Sequence, residues 1–424
     1  MPAQVWEVVG GADKGGILVR EGQSTTSPQA PERLATGSLV KELELSGERL
    51  HYERLTGSGP QSGWVSVRMK DKELLSKADV EKATAWPGGP FNSDQLLQRY
   101  VSGGLGSVVA EYRKLLEGMI LGPEMKVPRE GGSPVPWEGY VPPADAAGRP
   151  KLVFVGDQLT QGPPLNVTAP FVAAVARRNP GVLVENAGWA AAMSPAAASP
   201  HDFHLPLPKP GEFAAQYVCI MVGTNDAIAM AGPEANIDLS FVGPPGGPFK
   251  LPADWRESCC PSVELFEHSI TAAVRGHKAG GARVALVTPH PLGEDLTDAI
   301  PEKHSKKLRR SPHAVVSELV AAVRRVAEAE GCDVLPLFEC ACHFLGKLQR
   351  EPIIWTPQGF SVRLNAGMAA RRHEADKGLP IRQYAEFGAP NGRPELCFDL
   401  VHFNEDAAAL LCALVQAWID AEPA

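Results

Sequence analysis

The apolar positions along the chain change their period near residue 150. Before it, "ILVREG" (17–22), "LVKELEL" (39–45), "ERLHYERL" (48–55) and "GWVSVRM" (63–69) alternate apolar and polar residues between Gly, Ser and Pro. That period of two predicts short strands. Residues 93–119 switch to helical spacing, in two pieces broken at Gly103-Gly104. Val108, Tyr112, Leu115 and Met119 make a stripe on the second piece, and Ser93 or Asp94 is placed to cap the first. Residues 121–150 are rich in Pro and Gly and read as a linker.

After residue 150 the pattern becomes strand, helix, strand. Apolar runs at 151–155, 182–185, 217–222, 283–288 and 333–337 suit buried parallel strands. Amphipathic helices are predicted near 168–178, 262–279 and 312–330, the last with Val315, Leu319, Val323 and Val326 on one stripe. A final helix is predicted over 405–419. Strands alternating with helices give a doubly wound, flavodoxin-like α/β/α sandwich around a parallel five-stranded sheet. The expected organisation is therefore a small all-β domain (1–80), a helical segment and linker (81–150) and an α/β domain (151–424). Ligands of such sheets bind at the carboxyl ends of the strands, so the residues that follow each strand are the ones to inspect.

Composition narrows the partners. With 424 residues, 44% of them hydrophobic, there is enough apolar surface for a large core and more than one domain. The formal net charge is −8, which argues against nucleic acid, whose phosphates require an excess of Lys and Arg. The basic cluster "KHSKKLRRS" (303–311) reads as a solvated surface before a helix. "MPAQVWEVVGG" is not the basic-then-apolar pattern of a secretory signal, and "AAALLCALVQAWI" (407–419) is too short to span a bilayer. Cys259-Cys260 and Cys340-x-Cys342-His343 lack the paired spacing of a zinc site. The eight cysteines are expected to be reduced thiols of a cytoplasmic protein, with no metal or organic cofactor.

Four blocks then stand where the fold would put a site. Gly156-Asp157-Gln158-Leu159-Thr160 follows the first α/β strand, Asn186-Ala187-Gly188-Trp189 the second and Gly223-Thr224-Asn225-Asp226 the third. "DLVHFN", with Asp399, His402 and Asn404, precedes the last helix. In this order and setting they resemble the SGNH, or GDSL-type, hydrolases of the esterase and lipase class, over residues 151–421. The "GWVSV" that ends the first region, after a Gly-rich turn, resembles a bacterial Src-homology-three-like barrel. The hydrolase resemblance implies a nucleophile at 158, His402 as its base and Asp399 orienting that imidazole. It implies oxyanion donors at the backbone N–H of 158, the backbone N–H of Gly188 and the side-chain amide of Asn225, with Asn186 bracing the loop. Asp157, Asn186, Trp189 and Thr224 are candidates for the surrounding binding shell. Each also has an ordinary reading: Asp157 fixing its turn, Asn186-x-Gly188 as a plain turn, Asp226 as a helix cap, His402 as a structural histidine.

Position 158 departs from that family. A Gln amide has no useful nucleophilicity and no proton to give up. Three readings stay open: a natural pseudohydrolase that keeps its pocket for binding, an altered version of a Ser-containing chain, or a site that works without that Ser. Thr160, the nearest hydroxyl, is expected to cap the next helix instead. As an esterase the chain is expected to be feeble or inactive; the alternative function is a ligand-binding or adaptor protein. The implied ligands are small esters or acylated sugars and lipids, with a peptide or glycan partner for the N-terminal barrel. In or beside the long insertions (191–216, 227–261 and 343–397) stand Trp189, Phe203, Trp255, Trp355, Phe360 and Phe387, which either wall a pocket or anchor loops. Arg371, Arg372 and His373 are placed to meet an acid group or to lie on the surface.

Overall fold

The computed structural model describes residues 4–11, 14–54, 59–69, 72–78, 91–120, 148–162, 169–190, 192–203, 205, 207–232, 261–348, 353–361, 395–397 and 399–421. The chain divides into two compact units, residues 1–111 with 417–424, and residues 112–416.

The first unit holds the strands β1 (Val5–Val8), β2 (Ile17–Arg20), β3 (Gln29–Leu34), β4 (Leu39–Ser46), β5 (Arg49–Arg54), β6 (Ser62–Ser66), β7 (Arg68–Met69), β8 (Lys72–Glu73) and β9 (Leu75–Ala78). Seven make one antiparallel sheet in the order β3-β2-β6-β5-β4-β1-β9, and β7 pairs with β8. The alternation works as expected: Ile17 and Val19 of β2, Leu50 and Tyr52 of β5 and Val65 of β6 point into one core. The pattern missed β1, β3, β8 and β9. In β3, "QAPERL" buries only Leu34, so it carries almost no apolar signal.

Helix α1 (Ser93–Val101) is capped by Asn92, whose side chain accepts from the Gln95 N–H at 2.9 Å; neither Ser93 nor Asp94 has that role. Asn92 already has the extended backbone that a cap requires, which places the cap one residue earlier than expected. In α2 (Gly106–Ile120) the buried stripe is Val108, Tyr112, Leu116 and Met119, with Leu115 only half-buried. Positions 115 and 116 are both Leu, so hydrophobicity alone does not choose between them.

The second unit is the expected doubly wound sandwich. Its strands are β10 (Lys151–Gly156), β11 (Leu183–Gly188), β12 (Tyr217–Met221), β13 (Arg283–Val287) and β14 (Asp333–Leu335). They form one parallel sheet in the order β11-β10-β12-β13-β14. Helices α3 (Gln158–Gln161), α4 (Phe171–Arg178), α5 (Ser194–Ala198), α6 (Thr224–Ala231), α7 (Val263–Ala279), α8 (Pro312–Glu330), α9 (Leu337–Leu345) and α10 (Glu405–Asp420) connect and follow them. In α8, Ser311 caps the start, Pro312 opens the first turn and Gly331 ends it in left-handed backbone. Its Val315, Leu319, Val323 and Val326 are buried in the main core.

This topology has a switch point between β10 and β12, where the chain leaves in opposite directions. Register sharpens it: Gly156 is paired with Gly188 on one side and with Met221 on the other. Three strand ends are thus level, and the blocks behind them emerge side by side. Gly188 allows a close backbone approach, since a Cβ there would stand 2.3 Å from the Gln161 nitrogen and 2.6 Å from the Thr160 carbonyl carbon. The Gly188→Ala variant is expected to lose about 1–3 kcal/mol in urea melts, because backbone must move to admit the methyl group. A variant as stable as its parent would contradict this packing of α3 on β11.

Candidate active site

Asp157 leaves β10 in extended backbone and caps α3, its Oδ1 accepting from the Leu159 N–H at 2.9 Å. The ordinary reading of Asp157 as a turn residue therefore holds. The turn makes Gln158 the first residue of α3, buried to 8% exposure. Behind β12, Gly223 adopts φ 118° and starts α6 with Thr224, Asn225 and Asp226.

Gln158 and Asn225 meet in a reciprocal amide pair. Asn225 Nδ2 donates to Gln158 Oε1 at 2.8 Å, and Gln158 Nε2 donates to Asn225 Oδ1 at 3.1 Å. The second hydrogen on Asn225 Nδ2 goes to the Ala192 carbonyl at 2.9 Å. Both protons of that amide are spent inside the protein.

The next residue, Asp226, does not cap its helix. Its carboxylate reaches across to Ser194, taking the hydroxyl at 2.6 Å and the backbone N–H at 3.1 Å. Asn186 braces its loop as expected, Nδ2 donating to the carbonyls of Thr160 at 2.8 Å and Gln161 at 3.1 Å. Its Oδ1 accepts the Gly188 N–H at 2.9 Å, so that N–H is engaged within the loop. Gly188 also allows close packing of α3 on β11. Thr160 caps nothing: it lies within α3, buried, and its hydroxyl has no hydrogen-bond partner.

Asp399 and His402 come together in the turn before α10. Asp399 Oδ1 accepts the N–H groups of Val401 at 3.0 Å and His402 at 2.7 Å, and Oδ2 lies 2.7 Å from His402 Nδ1. Leu400 between them sits at φ 79°, rare for a branched side chain, and this tight turn lets one carboxylate reach three groups. A carboxylate at Nδ1 fixes the proton there and makes Nε2 the proton-accepting nitrogen. The Phe360 ring lies 6.0 Å from that imidazole, tilted by 31°.

Burial sets the electrostatics. It pushes the Asp157 carboxyl up to about 7, against the Leu159 N–H, the His402 charge and the Thr224 hydroxyl, which pull it down. It pushes Asp226 up to about 6, against its bonds to Ser194. Thr224, read as a binding residue, is buried and turned toward Asp157.

Of the aromatic residues, Trp189, Phe203 and Trp355 are buried in the main core and anchor their loops, with Phe360 packed against it. Trp255, Phe387, Arg371, Arg372, His373 and Cys259-Cys260 lie outside the described residues, as does most of the insertions and of the 121–150 linker. Among the described residues no group of three His, Cys, Asp or Glu side chains is placed to hold a metal ion. No described helix is long and apolar enough to cross a membrane.

The sequence reading passed over Ala192, Ser194, His290 and Glu294. The last two follow β13, a strand end whose trailing residues the same rule would have examined. Ala192 and Ser194 carry no such signal, because they enter through a backbone carbonyl and a common hydroxyl.

The model of the GDSL-like lipase/acylhydrolase family matches residues 154–410. The chain belongs to that family. The match runs from β10 into α10 and takes in every residue of the site just described. Among solved structures, the acetylxylan esterase Axe2 from Geobacillus stearothermophilus is 14% identical, with TM-score 0.38, over 64% of this chain and 94% of that one. LAE5, an alpha/beta hydrolase enzyme from the metagenome of Lake Arreo, is 16% identical, with TM-score 0.35, over 63% and 96%. The acetyl xylan esterase AlAXEase is 13% identical, with TM-score 0.34, over 62% and 97%. No curated protein matches the chain.

The two raised carboxyls hold their protons to higher pH when folded than when unfolded, where a carboxyl titrates near 3.8. Their contribution to stability is complete below that value and is lost as pH rises toward 7. His277 and His290, pushed down to about 4 by burial, act in the opposite sense between pH 4 and 6.5. A difference between variants separates the two effects. Asp157→Asn keeps the acceptor for Leu159, so relative to wild type it is expected to gain stability from pH 4.5 to pH 7.5 in urea melts. A difference that does not change with pH would contradict the buried carboxyl.

Proposed function

We propose that this chain is a silenced member of its family, a pseudohydrolase that acts as a ligand-binding or adaptor protein and does not turn over esters. The observation that carries this reading is the reciprocal amide pair. In ester hydrolysis on this framework, a hydroxyl at position 158 would attack the acyl carbon. His402 Nε2 would take its proton, and Asp399 would stabilise the imidazolium. The oxyanion would be met by the Asn225 amide and by backbone N–H at 158.

Gln158 removes two of these parts at once. It brings no hydroxyl, and its own Oε1 occupies the Asn225 donor that an acyl oxygen would need. Loss of a triad nucleophile alone lowers turnover on the order of a millionfold. Asp399 and His402 remain paired and buried. The described cysteines, at 219, 332, 340, 342, 397 and 412, are all free, which fits a cytoplasmic, reducing setting.

The test is hydrolysis of a short-chain p-nitrophenyl ester, with fluorophosphonate labelling, by the wild-type chain and by Gln158→Ser. Wild type is expected to stay at the background rate and to take no label. The Ser variant is expected to label and to hydrolyse, since it restores the nucleophile and releases Asn225. Turnover by wild type would overturn the silenced reading. An inert, unlabelled Ser variant would overturn the roles given to Asp399, His402 and Asn225.

A further inference from the structure

Residues 395–397 and 399–404 lead into and out of a turn that carries Asp399 and His402. Its two sides are pinned to each other: Cys397 bridges Phe403, and the Asn404 N–H donates to the Leu396 carbonyl at 3.0 Å. Asn404 also ties the loop to α10, its Oδ1 accepting the N–H groups of Asp406 and Ala407 at 3.0 and 3.1 Å. None of these bonds fixes the loop against the sheet.

The segment after β13 does that. The Gly293 N–H donates to the Leu400 carbonyl at 3.0 Å. The buried Glu294 carboxylate accepts two N–H groups through Oε1, from Glu395 and from Leu396, the latter at 3.1 Å. His290 is buried against the Phe403 ring, 4.9 Å away and edge-on, and it hydrogen-bonds the Val401 backbone. That bond favours the charged ring, so the ring donates to the carbonyl. Nε2 has no partner, so Nδ1 is the donor. The loop is thus gripped at Leu396, Leu400 and Val401. The last two are the residues between Asp399 and His402.

We propose that His290 and Glu294 are positioning residues for the Asp399–His402 pair. The proposal rests on the reading of that pair as the family's acid–base machinery. Neither residue touches a reacting atom; both act through the backbone that sets the imidazole's place. A buried carboxylate with two backbone N–H groups and a buried imidazole on one carbonyl are costly groups to place in a core without such a task.

The test uses the full chain with its native Gln158, so that it does not depend on turnover. Histidine is labelled with 15N, and the His402 Nδ1 proton bonded to Asp399 is followed by NMR together with the ring's titration. His290→Leu and Glu294→Ala are expected to shift or broaden that signal and move the titration. His290→Asn, which presents an N–H where Nδ1–H stood, and Glu294→Gln, which keeps an acceptor oxygen, are expected to restore both. Val323→Ala, a cavity in α8, is expected to lower stability and leave them unmoved. If the Leu variant does not fold, His290→Gln replaces it, since its donor lies beyond the Nδ1 position. In the Gln158→Ser background, loss of either grip is expected to lower kcat about tenfold to a hundredfold with KM little changed. Folded His290→Leu or His290→Gln, and Glu294→Ala, with the His402 signal and titration unchanged would overturn the proposal. An inert Gln158→Ser chain would instead count against the acid–base reading, and the NMR result would still judge the positioning.

Discussion

The hydrogen-bonded pair of Gln158 and Asn225 joins the ends of β10 and β12 at the point where the sheet's winding reverses. Two primary amides face each other, and each donates once and accepts once. Both are nearly buried, so neither can exchange its partner for water without moving its turn. A satisfied bond of this kind adds about 0.5–1.5 kcal/mol, but leaving one member alone costs about 1–3 kcal/mol. The pair therefore resists loss of either partner more strongly than its net contribution suggests. It also places an amide carbonyl oxygen on the donor that, in a working hydrolase, would wait for the substrate.

Everything around the pair depends on three strands ending level. Gly156 and Gly188 let α3 settle onto the edge of β11, and Asn186 locks it there through the carbonyls of Thr160 and Gln161. From the other side, α6 holds the stretch 192–194 with two adjacent side chains, Asn225 on the Ala192 carbonyl and Asp226 on Ser194. The loop with Asp399 and His402 comes from elsewhere in the chain and is held by the segment after β13. Its geometry survives in a chain with no hydroxyl for the imidazole to activate at position 158. The Asp399–His402 pairing and the Gln158–Asn225 pair are both present in the one chain.

Much of this was legible in the sequence, for identifiable reasons. Strands β10, β12 and β13 are buried over most of their length, so they show as near-continuous apolar runs. The blocks after them lie close to their strands, and their order carried the resemblance to the SGNH, or GDSL-type, hydrolases. The pairing of Asp399 with His402 was implied by that resemblance, and the two side chains do meet. Contacts that depend on distant backbone were not legible. Asp226 was read as a cap because Ser194 is far away in sequence. His290 and Glu294 act on backbone atoms about one hundred residues later, and backbone atoms leave no mark on residue identity. Strand β3 was missed for the opposite reason: its pairing is supplied by neighbours while its own residues are mostly polar.

The most direct measurement is hydrogen exchange of the two side-chain amides, by NMR, in the wild-type chain. The account expects Gln158 and Asn225 to show slowly exchanging amide protons, with the Gln158 signals becoming fast and averaged in Asn225→Ala. Gln158 protons that exchange at the solvent rate in wild type, or that ignore the loss of Asn225, would mean that the pair does not close the site, and the silenced reading would lose its foundation.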